Sequence, residues 1–309
     1  MYSNKKTETS PRVRTAFSSP SEISFGQIRE KCSQKIAAVT TVRNEPLFLK
    51  KWIQYYASQF GAKNLFVIVD GHDQKLPEAA SNINTLFLPY QPMQNIPAMR
   101  RRSKVMSGIA RGLFNYFDAV LVLDIDEFIV VDPILNISLA DHISSQKSKS
   151  TISALGLDVG QHLLCEGPLD ANELFLEQRQ FAHVSARYTK PSIAFQPVNW
   201  GSGMHRIKGK NFRIDPNLFL FHFGMVDQKI AAQKTADADR LSTGWGAHNE
   251  RRKKLFDIIT EAVPIEGDKY FAKARKYQTW HRPFYALNKP GVIPGNPVIR
   301  IPERFRGIV

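Results

Sequence analysis

The chain has 309 residues, 43% of them hydrophobic and 11% aromatic, and a formal net charge of +14. That length and composition give a globular chain one substantial core, with room for a small appended lobe. No apolar run is long enough to span a bilayer as a helix, and the opening Met1-Tyr-Ser-Asn-Lys-Lys6 is not followed by the apolar core of a signal peptide. The two cysteines, Cys32 and Cys165, could form one disulfide at most, have no metal-type spacing and read as free buried thiols of a reducing compartment. A cytoplasmic location is expected. The positive charge calls for an acidic partner: nucleic acid, an anionic membrane face or an acidic small ligand. Nucleic acid is not expected, because no recognition element interleaves basic and aromatic residues.

Residues 1–33, rich in Ser, Thr, Lys and Pro, read as a disordered tail. Lys35–Val42 is a β-prone run, followed by Arg43-Asn-Glu-Pro46, with Asn44 placed as a helix cap and Pro46 in the first turn. Leu49, Ile53, Tyr56 and Phe60 then mark one helical stripe, which Gly61 closes. Asn64–Val69 is a second strand ending at Asp70, and Thr85–Tyr90 a third. A helix over about 97–117 turns Met106, Ile109, Leu113 and Phe117 inward.

Ala119–Val131 is an almost wholly apolar run interrupted by Asp124, Asp126 and Glu127. Its apolar part predicts a strand buried on both faces. Ionised carboxylates are costly in a core without partners, so the strand is expected to end there and direct its acids into a cleft. Asp124 and Asp126, two apart, can face one cation together, with Glu127 turned to the other side. Paired hard oxygen donors suit Mg²⁺ or Mn²⁺ shared with a ligand's phosphates.

Beyond residue 140 the pattern is weaker. Residues 142–150 read as a loop, Thr151–Val159, Ser192–Val198 and Asn217–Phe223 as strands, Glu166–Asp170 as a turn and His248–Ala262 as a helix with Arg251–Lys254 on its exposed side. The Pro-rich end reads as an extended wrap. The boundaries expected are a tail over 1–33, a catalytic domain over 34–262 and a C-terminal wrap over 263–309 belonging to the same domain. Strand–helix alternation in the first half predicts an α/β fold with a doubly wound, mostly parallel sheet and helices on both faces. Ligands bind such sheets at the carboxyl ends of strands, where Asn44, Glu45, Asp70, Asp124 and Asp126 all fall.

Taken together, Val42-Arg-Asn-Glu-Pro46, Phe48-Leu-Lys-Lys-Trp-Ile53, Gly61, Asp70-Gly-His-Asp73 and Leu123-Asp-Ile-Asp-Glu-Phe128 resemble the family 2-like glycosyltransferases, in the branch carrying Asn-Glu and Asp-x-Asp-Glu-Phe motifs. Trp200-Gly-Ser-Gly-Met-His205 and His222-Phe223 resemble that branch's downstream pieces. The likeness covers roughly residues 36–224. It departs at Tyr55-Tyr56, where the branch often has His, and at Asp70–Asp73. The resemblance implies a GT-A fold, a Rossmann-like sandwich that binds a nucleotide-sugar through Asp-x-Asp and a divalent metal.

On that basis Asp126 is expected at the metal, Asp124 at the metal or the ribose, and His222 at the metal or phosphate. Arg43, Asn44, Glu45 and Asp70 are expected around the nucleotide. Independently of the resemblance, the basic run Arg100–Lys104 sets cations against the dipole of a helix N-terminus, which suggests use, and Arg100 is expected at the diphosphate or an anionic acceptor. An inverting transfer needs a carboxylate to take the acceptor's proton, and Asp158 and Glu166 are the candidates. The expected activity is transfer from a nucleotide-sugar, a UDP-sugar favoured, to a saccharide, lipid-linked or other hydroxyl acceptor, in bacterial-type surface polysaccharide or glycoconjugate assembly. Peripheral contact with the anionic inner membrane face is expected from the basic clusters. Two rivals stand beside this reading. A nucleotidyltransferase would carry a Gly-rich loop after the first strand, and Val42–Pro46 has no glycine. A non-catalytic nucleotide- or carbohydrate-binding protein on the same fold would have no need of Asp124 and Asp126.

Overall fold

The computed structural model describes residues 34–146, 150–207 and 213–309. The tail expected over 1–33 lies outside the described residues. Four parallel strands form one half of the sheet: β1 (Ile36–Val42), β2 (Leu65–Asp70), β3 (Asn84–Leu88) and β4 (Ala119–Val122), in the spatial order β3-β2-β1-β4. Two helices cover its faces, α1 (Pro46–Phe60) and α2 (Asn95–Leu113).

The period-two geometry of a strand explains this two-sided burial. Ile36, Ala38 and Val42 of β1, with Ala119 and Leu121 of β4, join Phe48, Leu49, Trp52 and Tyr56 of α1 in one apolar cluster. The intervening Ala37, Val39, Val120 and Val122 join Met106 and Ala110 of α2 in another. A strand packed on both faces has no room for polar alternation, which is why these segments read as continuous apolar runs. Gly61 closes α1 with φ +83°, its N–H donating to the Ala57 carbonyl at 2.9 Å. Asn44 does not cap that helix. It adopts a left-handed φ of +55°, which Asn tolerates better than most residues, and Glu45 occupies the cap position without a side-chain capping bond.

The second half of the sheet is largely antiparallel. It comprises β5 (Glu127–Val131), β6 (Thr151–Gly160), β7 (Phe181–Val184), β8 (Pro191–Ala194) and β9 (Ile214–Met225). β8 joins β4 and β6, β7 joins β6, and β9 lies parallel to β6 and antiparallel to β5. Short helices α3 (Leu139–Ser144) and α4 (Phe175–Gln178) lie between them, so the loop expected from 142 begins as a helical turn. β9 has twelve residues, longer than the apolar run 217–223 indicates, because the ladder takes in Ile214–Pro216 and continues to Met225.

Helices α5 (Gln228–Ala236), α6 (Ala238–Ser242) and α7 (Gly246–Glu261) follow. The expected wrap is in fact built around β10 (Ile265–Glu266), α8 (Gly267–Trp280) and β11 (Val298–Arg300). Tyr270, Phe271, Ala274 and Gln278 give α8 its buried stripe, a helical period that the nearby prolines obscure. β11 pairs with β7, and Phe305 packs edge-on against Phe219 and Phe221, binding the C-terminus to the same core.

Candidate active site

β4 ends at Val122 and the chain turns before β5, with Glu127 N–H donating to the Asp124 carbonyl at 3.1 Å. The acids at this turn separate as their spacing predicts. Asp124 and Asp126 border an open cavity, while Glu127 is fully buried. Glu127 Oε2 accepts from Asp124 N–H at 2.9 Å, and its Oε1 lies 2.8 Å from the Lys190 ammonium. Lys190, itself buried, also donates to Asp124 Oδ2 at 3.0 Å, and Arg102 faces Asp124 Oδ1 at 3.1 Å. Burial works against the Asp124 charge, but Arg102 and Lys190 outweigh it and hold the carboxyl below its ordinary value. Burial likewise opposes the Lys190 charge, and Asp124 and Glu127 keep that ammonium above its ordinary value. A strand end that looks purely acidic in the sequence is therefore neutralised by a lysine from the Thr189-Lys190-Pro191 segment entering β8.

Asp126 faces a different partner. His222 of β9 directs Nε2 at Asp126 Oδ2, 3.5 Å away, while its Nδ1 lies 2.6 Å from Asp158 Oδ1 on neighbouring β6. The β6–β9 ladder sets this up by placing Asp158 opposite His222 in register. Tyr188 stacks on the imidazole at 3.7 Å, and the Arg252 guanidinium reaches its edge at 3.3 Å. Burial alone would raise the Asp126 carboxyl, but His222, Lys234 and Arg252 together hold it well below the usual carboxylate range. Burial opposes the His222 charge, but Asp126 and Asp158 outweigh it and hold the imidazole above its ordinary value, which favours its protonated form. Once Nε2 gives up its proton, a histidine fixed at Nδ1 by a carboxylate presents Nε2 as a donor atom, as in many metal-binding histidines, and Asp126 and His222 would then offer two donors side by side. That suits a Mg²⁺ or Mn²⁺ ion whose remaining positions come from phosphate and water. Among the described residues no larger group of His, Cys, Asp and Glu gathers as a metal site.

The Arg43-Asn44-Glu45 triplet after β1 grips the α5–α6 segment. Arg43 binds Asp239 at 2.6 Å and Asp73 at 3.1 Å, and its guanidinium lies 3.5 Å over the Tyr90 ring. Asn44 donates to Asp237 at 3.0 Å, and Glu45 pairs with Lys234 and Arg240. These groups enclose a cavity of about 500 Å³ at the carboxyl ends of β1, β2 and β4. Asp70, at the end of β2, lines it too. Burial raises the Asp70 carboxyl, against the pull of Arg101 and Arg43. His205 borders the same space, pushed down to about 3 by burial and by Lys190, so its imidazole is neutral.

Of the residues singled out in the sequence, Arg43, Asn44, Glu45, Asp70, Asp124, Asp126 and His222 share this cavity. Three others lie elsewhere. Arg100 is exposed, and Arg101 and Arg102 are the members of its run that reach the cavity. Asp158 sits behind His222 and is not among the lining residues. Glu166 turns away entirely, its two oxygens accepting from the N–H groups of His162 at 2.8 Å and Gln180 at 2.7 Å.

Several site residues escape the sequence reading: Lys190, Tyr188, Lys234, Arg240 and Arg252. For Arg252 a signal existed. It lies on the stripe of α7 that carries Leu255, Phe256 and Ile259 into the core, so it turns inward and not to the exposed side.

No protein-family model matches the chain, and no curated protein matches it. Among solved structures it is similar to a mannose-1-phosphate geranyltransferase from Thermus thermophilus, with 13% identity, a TM-score of 0.28, and coverage of 76% of this chain and 70% of that one. It is also similar to a mannosyltransferase from Pyrobaculum calidifontis in complex with GDP-Man and Mn²⁺. That match has 9% identity, a TM-score of 0.36, and covers 71% of this chain and 64% of the other.

Proposed function

We propose that the chain is a metal-dependent glycosyltransferase that binds a nucleotide-sugar in this cavity and transfers the sugar to a hydroxyl of a saccharide or lipid-linked acceptor. UDP-sugars are the favoured donors and surface glycoconjugate assembly the favoured setting. The observation that carries this reading is convergence. Arg43-Asn44-Glu45, Asp70, Asp124, Asp126 and His222, far apart in the chain, meet around one cavity at the strand carboxyl ends. Open α/β sheets place their ligands there.

Asp126 and His222 Nε2 would hold a Mn²⁺ or Mg²⁺ ion, and that ion supplies charge neutralisation for a leaving diphosphate. Arg102, Lys234, Arg240 and Arg252 add preorganised positive charge from the protein itself, which stabilises developing negative charge without reorganisation. Asp70 is assigned to the nucleoside and Asp124 to the ribose or the metal, both as residues that line the cavity. Glu166 is too far engaged with backbone N–H groups to serve as the base. Asp158 acts best through His222, fixing its tautomer, and an acceptor proton would leave through a carboxylate that borders the cavity.

The test is a panel of UDP-, GDP- and dTDP-sugars in thermal shift, with and without Mn²⁺, followed by product analysis. A specific donor should raise the melting temperature in the presence of the metal, since ligand binding to the native state stabilises it by mass action. Release of a nucleoside diphosphate with sugar transfer supports the proposal. Release of a sugar 1-phosphate, with the nucleoside monophosphate transferred in place of the sugar, would replace it with nucleotidyl transfer, and donor binding without any turnover would leave a binding protein.

A further inference from the structure

The strongest unassigned feature lies away from the cavity, at the end of α8. Lys269, Lys273, Lys276 and Trp280 follow one another at spacings of four, three and four, so they share one face of the helix. All four are exposed. The loop that follows places three more large apolar side chains in water: Phe284 is 98% exposed, Tyr285 89% and Leu287 62%, beside Trp280 at 77%.

This loop has a fixed shape. Arg282 donates to the carbonyls of Thr279 at 2.6 Å and Leu287 at 2.8 Å, Gly291 N–H donates to Gln278 at 2.8 Å, and Asn288 Nδ2 donates to Ile207 at 2.6 Å. Ala286 is buried and anchors its base, and a Cβ at Gly291 would collide with the His281 carbonyl. A loop so tied could have turned its aromatics inward, yet it holds them outward beside a row of lysines. Clustered exposed aromatic residues of this kind mark interaction surfaces.

We propose that this face of α8 and its aromatic loop dock on an anionic lipid bilayer. Charge decides the occupant. Lysines along one face of a helix, ending in Trp, Phe and Tyr, match the pattern of helices that lie in a membrane interface, with aromatic rings at headgroup level and ammonium groups on anionic headgroups. A second copy meeting through the same face would bring like-charged rows together. The surface is separate from the donor cavity, so the inference does not rest on the transferase reading. Among the described residues no helix is long and apolar enough to cross a membrane, and contact through a surface needs none.

The experiment is co-sedimentation of the full chain with phosphatidylcholine vesicles, with and without phosphatidylglycerol, at low and high salt. Two variants accompany the parent: Trp280→Ser/Phe284→Ser/Tyr285→Ser, and Lys269→Gln/Lys273→Gln/Lys276→Gln. All six positions are solvent-facing, so the melting temperature should stay unchanged in both variants and serves as the folding control. The parent should pellet with anionic vesicles and far less with neutral ones. The lysine variant should bind about five-fold more weakly for each charge removed, and the aromatic variant should lose the binding that survives high salt. Failure of the parent to bind anionic vesicles would overturn the proposal, as would both variants binding like the parent. A concentration-dependent dimer in gel filtration that the aromatic variant abolishes would also overturn it, assigning the surface to a second copy.

Discussion

The Lys190 ammonium lies 2.8 Å from Glu127 Oε1, with both side chains sealed from solvent. The same ammonium donates to Asp124 at 3.0 Å, so one cation serves two carboxylates at the turn that carries the Asp-x-Asp sequence. Removing one member of a buried ion pair leaves the other charge desolvated and unpaired, at a cost of about 3–5 kcal/mol. Lys190→Met should therefore lower the unfolding free energy measured by urea denaturation by about that amount. Adding Glu127→Gln should recover part of the loss, since one of the stranded charges then disappears. A Lys190→Met protein within about 1 kcal/mol of the parent would show that the turn is held by something else.

The His222 ring couples Asp158 to Asp126, and this gives two carboxylates separable roles. Asp126→Asn removes a donor atom and should abolish Mn²⁺-dependent donor binding. Asp158→Asn leaves the donors in place but loosens the ring that carries Nε2. Loss of such a supporting carboxylate weakens metal affinity about 10–100-fold. Titrating Mn²⁺ against donor-induced thermal shift distinguishes the two. If Asp158→Asn kept normal metal affinity and lost turnover alone, Asp158 would be acting on the substrate and not on His222.

Much of the cavity was legible in the sequence because strand ends are legible. An apolar run broken by acids marks where a buried strand meets solvent, and Asp70, Asp124 and Asp126 were placed by that signal alone. The first half of the fold was readable for the same reason: β1 and β4 are buried on both faces, and helices α1 and α2 follow β1 and β3. What stayed hidden were the partners that arrive from far along the chain. Lys190 lies 63 residues beyond Glu127 by subtraction of their numbers, in a Lys-Pro step that reads locally as a loop. Lys234 and Arg240 come from α5 and α6, whose weak amphipathicity gives no hint that their cations turn toward Glu45. Local periodicity reports which side of an element is buried, not which distant charge it meets.

Away from the cavity, Asp215 is buried, accepts from Asn217 N–H at 2.8 Å and faces His142 Nε2 at 3.1 Å. Burial would raise its carboxyl, but the bonds from His142 and Asn217 outweigh it and hold the group below its ordinary value. A carboxylate whose folded pKa is depressed contributes stability above its unfolded pKa of about 3.9, and that contribution is lost as pH falls toward and through the folded value. The parent should lose melting temperature below about pH 4 more steeply than Asp215→Asn, while Asp215→Asn should be the less stable of the two at pH 7. Parallel melting-temperature curves for the two proteins across that range would exclude Asp215 as an acid-sensitive contact.

The grip of Arg43, Asn44 and Glu45 on the α5–α6 segment makes a claim about access to the cavity. Asp239 receives Arg43 at 2.6 Å and Asn44 at 3.4 Å, and both Asp237 and Asp239 line the cavity. The segment covering the site is thus held by the same triplet that borders it, so opening it requires breaking these bonds. Charge-assisted bonds contribute more than neutral ones, but the Asp239 side chain is 36% exposed, and solvent screening reduces the expected contribution to about 1 kcal/mol. That free energy corresponds to roughly a five-fold change in the open population. Asp239→Asn should therefore speed tryptic cleavage after Lys234 and Arg240 about five-fold under conditions where local opening limits access. A bound donor should slow cleavage in both proteins, because the cations facing its phosphates belong to the same segment. Equal cleavage rates in parent and variant would mean that the Arg43–Asp239 pair does not hold the segment closed, and that its order comes from packing of Ala231 and Ile230 against the core.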